Sequence, residues 1–217
     1  MAQVQLLLRE RDLSAEEFFA LARTLPAPQQ ERLGHIRHPG QAQASLLGLL
    51  LARRLLHSQF DLPESDLLFT TNAHGKPALA AYPDCHFNIS HSGRVVACGV
   101  DVIPIGLDVE EVRPVNLQIA RRFFTPDEQE FIFSRPKADQ PAAFFSVWTK
   151  KESYIKWVGR GLGIPLTSFD VLTPPVGVVF HPLWVDTTEA AIGHVCSSSS
   201  SPPVCTTHSL GNFLAQL

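Results

Sequence analysis

The chain has 217 residues, 45% hydrophobic and 18% charged, a globular balance that excludes intrinsic disorder and leaves room for one large domain or two smaller halves. A formal net charge of −3 supplies no basic field, so no nucleic-acid partner is expected. Cys85, Cys98, Cys196 and Cys205 form no CxxC pair, no apolar run reaches the length of a membrane span, and residues 4–8 are too short for a secretory core. Free thiols in a cytoplasmic protein are therefore expected.

Residues 3–9 read as an opening strand. Ser14 followed by Glu17 is a capping box, and Phe18, Leu21, Ala22 and Leu25 keep helical spacing until Pro26 and Pro28 end it. Residues 46–56 are leucine-dense, with Arg53, Arg54 and His57 near the end where cations suit the helix dipole, which predicts a mostly buried helix. From Leu67 the period shortens. Residues 67–70, 87–90, 95–100 and 103–109 are short β-rich runs separated by Gly, Pro, Asn and Asp. Helical spacing returns at 117–124. Thr125, Pro126 and Glu128 then make a second capping box with proline at the first helical position, and a long helix covers 142–158. Further strands are expected at 169–172, 176–180, 183–185 and 190–196, followed by a mobile Ser/Pro-rich loop at 197–203. Helices, strands, helices and strands in that order predict an α+β fold of two similar halves.

Three clusters carry polar groups that suit chemistry. On the strand Gly106-Leu107-Asp108-Val109-Glu110, alternation turns Asp108 and Glu110 to the same face, about 7 Å apart, within reach of one hard cation. Alone, that pair reads first as the solvated acidic face of a half-buried strand. In the helix 142–158, Phe145, Trp148, Glu152 and Ile155 share one stripe, where a carboxylate needs a partner or a metal. Lys156, four residues on, is either that partner or a second functional group. Gly159 to Gly163 is first a helix C-cap and turn, and second a loop able to cradle phosphate. The third cluster is Phe87-Asn88-Ile89-Ser90-His91-Ser92 with the upstream turn Gly75-Lys76-Pro77. Ser90, His91 and Lys76 offer hydroxyl, imidazole and ammonium donors to phosphate, against the simpler reading of polar turns. Adjacent strand residues point apart, so Ser90 and His91 are no hydrolase pair, and Cys85, His86 and His91 build no tetrahedral metal site.

The order of these motifs is more specific than any one of them. Gly75-Lys76-Pro77, residues 87–92, Gly106 to Glu110, Arg122-Phe123-Phe124 and Trp148-Thr149-Lys150-Lys151-Glu152-Ser153-Tyr154-Ile155-Lys156 together resemble a 4′-phosphopantetheinyl transferase of the surfactin-synthetase-activating type, over about residues 25–170. The resemblance implies a pseudo-twofold pair of α+β subdomains, 1–104 and 105–217, with the site in the cleft between them. The chain would act as a monomer rather than as a trimer of the shorter holo-carrier synthases. It also implies transfer of phosphopantetheine from coenzyme A to a serine of an apo acyl or peptidyl carrier protein, with release of 3′,5′-ADP. By the same resemblance Asp108, Glu110 and Glu152 would hold Mg²⁺ or Mn²⁺, and Lys156 would neutralise charge on the phosphates. Glu152 ranks first as the base and a water at the metal second. Lys76, Gly75, Pro77, Ser90, His91, Arg53 and Arg32 would contact coenzyme A.

One departure stands out. The family usually carries arginine where this chain has Ala44, and a basic residue where it has Gln29. Weaker coenzyme A binding follows, unless Arg32, Arg37 or His38 compensates. The segment with Leu117, Ile119, Arg121, Arg122 and Phe124 mixes cations with apolar groups and is the expected dock for the acidic carrier helix. The alternatives are a Mg²⁺-dependent pyrophosphate hydrolase built on the same carboxylates and a non-catalytic relative that binds coenzyme A or the carrier. Retention of all three acidic positions and Lys156 argues against the latter.

Overall fold

Two sheets, each backed by one long helix, meet along the edges of two strands. In the computed structural model, residues 1–185 and 191–217 are described. The first sheet is built from β1 (Gln3–Leu8), β4 (His86–Ser92), β5 (Val95–Asp101) and β9 (Val204–Ser209), in the order β4-β5-β1-β9. β5 is antiparallel to both neighbours, whereas β9 lies parallel to β1. α3 (Pro39–Phe60) crosses this sheet and buries Leu46, Leu47, Leu51 and Leu55 against Phe87, Val96, Cys98 and Val100. Before it come α1 (Ala15–Ala22), with the Ser14–Glu17 capping box in place, and α2 (Ala27–Gly34). A two-stranded ribbon of β2 (Phe69–Thr71) and β3 (Pro77–Leu79) follows α3.

The second sheet has the order β6-β8-β7, all antiparallel, from β6 (Gly106–Glu111), β7 (Val179–Val185) and β8 (Ala191–Ser197). α4 (Gln118–Phe123) and α5 (Pro126–Phe133) lead to α6 (Gln140–Val158), which lies on this sheet. Gly106 sets how closely it lies. A Cβ there would stand 2.0 Å from the Ser153 carbonyl oxygen and 2.4 Å from the Trp157 nitrogen, so only glycine admits the helix. A buried ion pair locks α5 to α6, with Lys151 Nζ 2.9 Å from Glu128 Oε2 and hydrogen-bonded to the carbonyls of Leu166 and Phe169. The Thr125–Glu128 capping box is present as expected.

The two sheet-and-helix halves are the α+β architecture expected from the sequence. Four local expectations are corrected. Pro26 and Pro28 do not merely end α1, because they open α2, where proline is tolerated in the first turn. Residues 169–172 form no strand, since the Val171 N–H goes to Glu128 Oε1 and those of Leu172 and Thr173 to Asp170 Oδ1. Residues 176–180 and 183–185 are not two strands but one, β7, preceded by a turn at Val176. Residues 204–214, expected in the second half, return to the first. There β9 pairs with β1, and α7 (Leu210–Leu214) buries Leu210 and Phe213 in the α3 core. Ala190, at the start of an expected strand, lies outside the described residues. Ser199 in the Ser/Pro-rich loop is tied down, accepting from His181 Nε2 at 2.9 Å and donating its N–H to Ser197 Oγ. Among the described residues no helix is long and apolar enough to cross a membrane.

Candidate functional site

β4 and β6 belong to different sheets, yet they are fastened side by side by side chains. Strand alternation turns Asn88, Ser90 and Ser92 the same way, and each accepts a backbone N–H two residues further along β6. Asn88 Oδ1 takes Leu107 N at 2.8 Å, Ser90 Oγ takes Val109 N at 3.3 Å and Ser92 Oγ takes Glu111 N at 3.2 Å. The two hydroxyls then donate to the carboxylates between those positions, Ser90 to Asp108 Oδ1 at 2.9 Å and Ser92 to Glu110 Oε2 at 2.5 Å.

α6, seated on Gly106, brings its polar residues to the same seam. Lys156 Nζ lies 2.6 Å from Asp108 Oδ1 and also reaches Ser90 Oγ and the Leu107 carbonyl, each at 3.1 Å. Burial pushes the Asp108 carboxyl upward, and Glu110 adds to it against the pull of Lys156 and Ser90. Burial pushes Glu152 up as well, helped by the charge of Asp108 and then of Glu110. Glu110 is held by Ser92 and by Arg113 at 3.0 Å.

Among the described residues no three His, Cys, Asp or Glu side chains are drawn tightly enough together to form a finished metal cage. The donors nevertheless fit a hard divalent cation. All three are carboxylates, the charge of Glu110 raises the proton affinity of Asp108 and the charges of Asp108 and Glu110 raise that of Glu152, and Asp108 Oδ2 is buried with no hydrogen-bond partner.

The remaining expected residues divide among three places. His91 lies beside α3, its Nε2 3.4 Å from Ser45 Oγ, and burial together with Lys156 lowers its proton affinity. It lines a cleft of about 400 Å³ with Arg9, His38, Ala44, Glu110 and Arg113. Lys76 and Pro77 line a second cleft of about 410 Å³ with His86, Pro104 and Trp157. Gly75, at φ 84°, makes the turn before them. The Lys76 ammonium points away from the carboxylates, onto the carbonyls of Ile105 and Trp157 at 3.1 and 3.4 Å, and burial pulls it down to about 8. Arg53 is inside the first half, bonded to the carbonyls of Leu67 and Glu64, and Arg32 is exposed at the end of α2. The structure thus joins Asp108, Glu110, Glu152, Lys156, Ser90 and His91, and leaves Arg53 and Arg32 outside that group.

Of the expected docking residues, Arg121 and Arg122 are exposed on α4, with Leu117 just before it and Ile119 within it half-buried. Phe124 is 2% exposed and stacks on Phe144 in the core, so it is removed from that surface; the exposed aromatic is Phe123, at 40%. Arg9, Asn88 and Arg113 stand in or beside the seam without being among the residues expected there. The alternation of Asn88, Ser90 and Ser92 was the available signal for the seam, while nothing local marks Arg9.

The chain matches the family model of the 4′-phosphopantetheinyl transferase superfamily over residues 104–207 and that of the 4′-phosphopantetheinyl transferase N-terminal region over residues 12–101. It is similar to the 4′-phosphopantetheinyl transferase Sfp of Bacillus subtilis (strain 168), 41% identical over 162 residues that cover 75% of this chain and 72% of that one. Psf-1 of Bacillus pumilus, a 4′-phosphopantetheinyl transferase, is 43% identical over 128 residues, 59% of this chain and 55% of its own. The human L-aminoadipate-semialdehyde dehydrogenase-phosphopantetheinyl transferase is 28% identical over 188 residues, 80% of this chain and 61% of its own.

Proposed function

This chain belongs to the 4′-phosphopantetheinyl transferase superfamily, and from that premise we propose how its cleft moves the 4′-phosphopantetheine of coenzyme A onto a serine of a carrier protein. The serine oxygen forms a bond to the phosphorus that bears the pantetheine arm. The bond from that phosphorus to the bridging oxygen breaks, 3′,5′-ADP leaves, and the serine proton must go to a base.

The observation that carries the reading is the state of Asp108. One oxygen is gripped by Lys156 and Ser90, and the other is buried without a partner, pointing to a ligand the protein does not itself supply. Asp108, Glu110 and Glu152 are the residues that would hold Mg²⁺ or Mn²⁺, which when bound neutralises charge on the pyrophosphate. Lys156, fixed by three acceptors beside Asp108, would neutralise charge that develops on the phosphates. Glu152 ranks first as the acceptor of the serine proton, by its place on α6 beside Asp108 and Glu110. Neutral His91 offers a donor to the phosphates without adding a cation. The cleft beside Lys76, Gly75 and Pro77 receives the nucleotide end. The carrier docks on α4 through Arg121 and Arg122, and the chain works as a cytoplasmic monomer, in keeping with its four free cysteines.

Chromatographic release of 3′,5′-ADP tests the reaction. Release is expected only when coenzyme A, Mg²⁺ and an apo carrier are all present. Equal release without a carrier would replace transfer by hydrolysis.

A further inference from the structure

The first turn of α3 forms one wall of the cleft that contains His91. This helix is 22 residues long, yet no side chain caps its N-terminus: His38 at the N-cap makes no cap hydrogen bond and Pro39 has no N–H. The helical ladder starts with Ala42 N on the His38 carbonyl, so the N–H groups of Gly40 and Gln41 precede it, and both residues line the cleft. The positive end of a long helix dipole is therefore presented to this space.

Arg9 supplies an independent sign of the same kind. It leaves the end of β1 and is only 7% exposed, and its ion pair with the exposed Asp12 is a long one, Nη2 to Oδ1 at 3.7 Å. Nη1 and Nη2 make long bonds of 3.3 Å to the carbonyls of Gly40 and Gly93, and Nε is buried with no partner. A buried guanidinium left in this state calls for an acceptor with several oxygens. Ala44, one turn along α3, sends no long side chain into the cleft, and His38 stands at its edge. Through His91, Ser92 and Glu110 the same cleft runs directly to the carboxylate seam.

We infer that Arg9 and the uncapped N-terminus of α3 hold a phosphate group of coenzyme A. The inference rests on the transferase reading above, because that reading makes the ligand a polyphosphate whose reacting end lies at Asp108. Arg9 thereby takes over charge that Ala44 does not provide, and neither Arg32 nor Arg37 lines this cleft. An anion at this helix N-terminus would meet the N–H groups that precede the ladder and add the strong acceptor that the loosely bonded guanidinium lacks.

Calorimetric titration of the full chain with coenzyme A and with dephospho-coenzyme A tests this without requiring turnover. Arg9→Gln should weaken coenzyme A binding about ten- to a hundredfold, with Arg9→Lys intermediate. Gln41→Glu guards against a purely structural effect. A carboxylate in the first helical turn stabilises α3, so the melting temperature holds or rises, while the same charge repels phosphate and weakens coenzyme A. Ala44→Arg in the Arg9→Gln background should restore binding. If the loss vanishes with dephospho-coenzyme A, the 3′-phosphate is the group held; if it persists, the diphosphate is, and both outcomes support the site. Unchanged coenzyme A affinity in Arg9→Gln and Gln41→Glu would overturn it and leave Arg9 a structural pin. A wild-type chain that binds coenzyme A but modifies no carrier would sink the transferase reading alone.

Discussion

Ser90 Oγ donates to Asp108 Oδ1 at 2.9 Å while accepting from Val109 N and from Lys156 Nζ, so one hydroxyl orients a carboxylate, fastens two strands and meets α6. Its hydroxyl is committed to protein groups rather than left open to substrate. Ser92 repeats the arrangement with Glu110 and Glu111 without reaching Lys156. Ser90→Ala should therefore destabilise the fold by about 1–3 kcal/mol in urea unfolding, because buried Val109 N loses its acceptor. Ser92→Ala should lose less stability, because Glu111 N is only part-buried and water can replace the hydroxyl, but bind Mg²⁺ about ten- to a hundredfold more weakly by calorimetry, as removal of an orienting outer contact does. Equal Mg²⁺ affinity in Ser92→Ala and wild type would refute the orienting role.

The Lys151–Glu128 pair has no exposure on either side chain. Breaking one partner leaves the other charge buried, so Lys151→Met or Glu128→Gln should each cost about 3–5 kcal/mol. The double variant Lys151→Met with Glu128→Leu should recover much of that loss. Purely additive losses in denaturant unfolding would show that the two residues act independently.

His194 lies opposite Asp108 in the β6–β8 register, is 6% exposed, and has Nδ1 2.8 Å from Thr149 Oγ1. Burial, with the charge of Lys150 added, pulls it down to about 3. An unfolded histidine titrates near 6.5, so between about pH 6.5 and 3 the unfolded chain binds the extra proton. Stability is then present above pH 6.5 and lost as pH falls through that window. His194→Gln should flatten this part of the stability–pH curve, and an unchanged slope would contradict the assignment.

Arg121 and Arg122 lie over Phe133 and Phe123 with their guanidinium groups on the surface of α4. Reversing both to glutamate should raise the KM for the carrier protein at least tenfold and leave coenzyme A binding unchanged. Loss of both affinities together would mean that the change disturbs the fold.

What the sequence made legible was local. The capping boxes at Ser14 and Thr125 need only four residues each, and both are present. Asp108 and Glu110 stand out because strand alternation turns both to one face, and Glu152 with Lys156 because a carboxylate on an apolar stripe demands a partner. What failed was nonlocal. β9 has no buried alternation of its own and becomes a strand only by lying along β1, some 200 residues away. Lys76 reads as a phosphate donor from its turn, and Arg53 as a coenzyme A contact by resemblance alone. Whether a cation reaches substrate or caps backbone carbonyls depends on segments distant in sequence, Glu64 and Leu67 for Arg53, Ile105 and Trp157 for Lys76.

The central claim is that the seam around Asp108 transfers phosphopantetheine to a carrier serine. The intact mass of an apo carrier protein after incubation with this chain, coenzyme A and Mg²⁺ tests it most directly, beside a parallel reaction with Asp108→Ala. One added phosphopantetheine with the wild type and none with the variant is the predicted result. Equal modification by both would contradict the role of Asp108, and no modification of several carrier classes by a wild-type chain that binds coenzyme A would contradict the transferase itself.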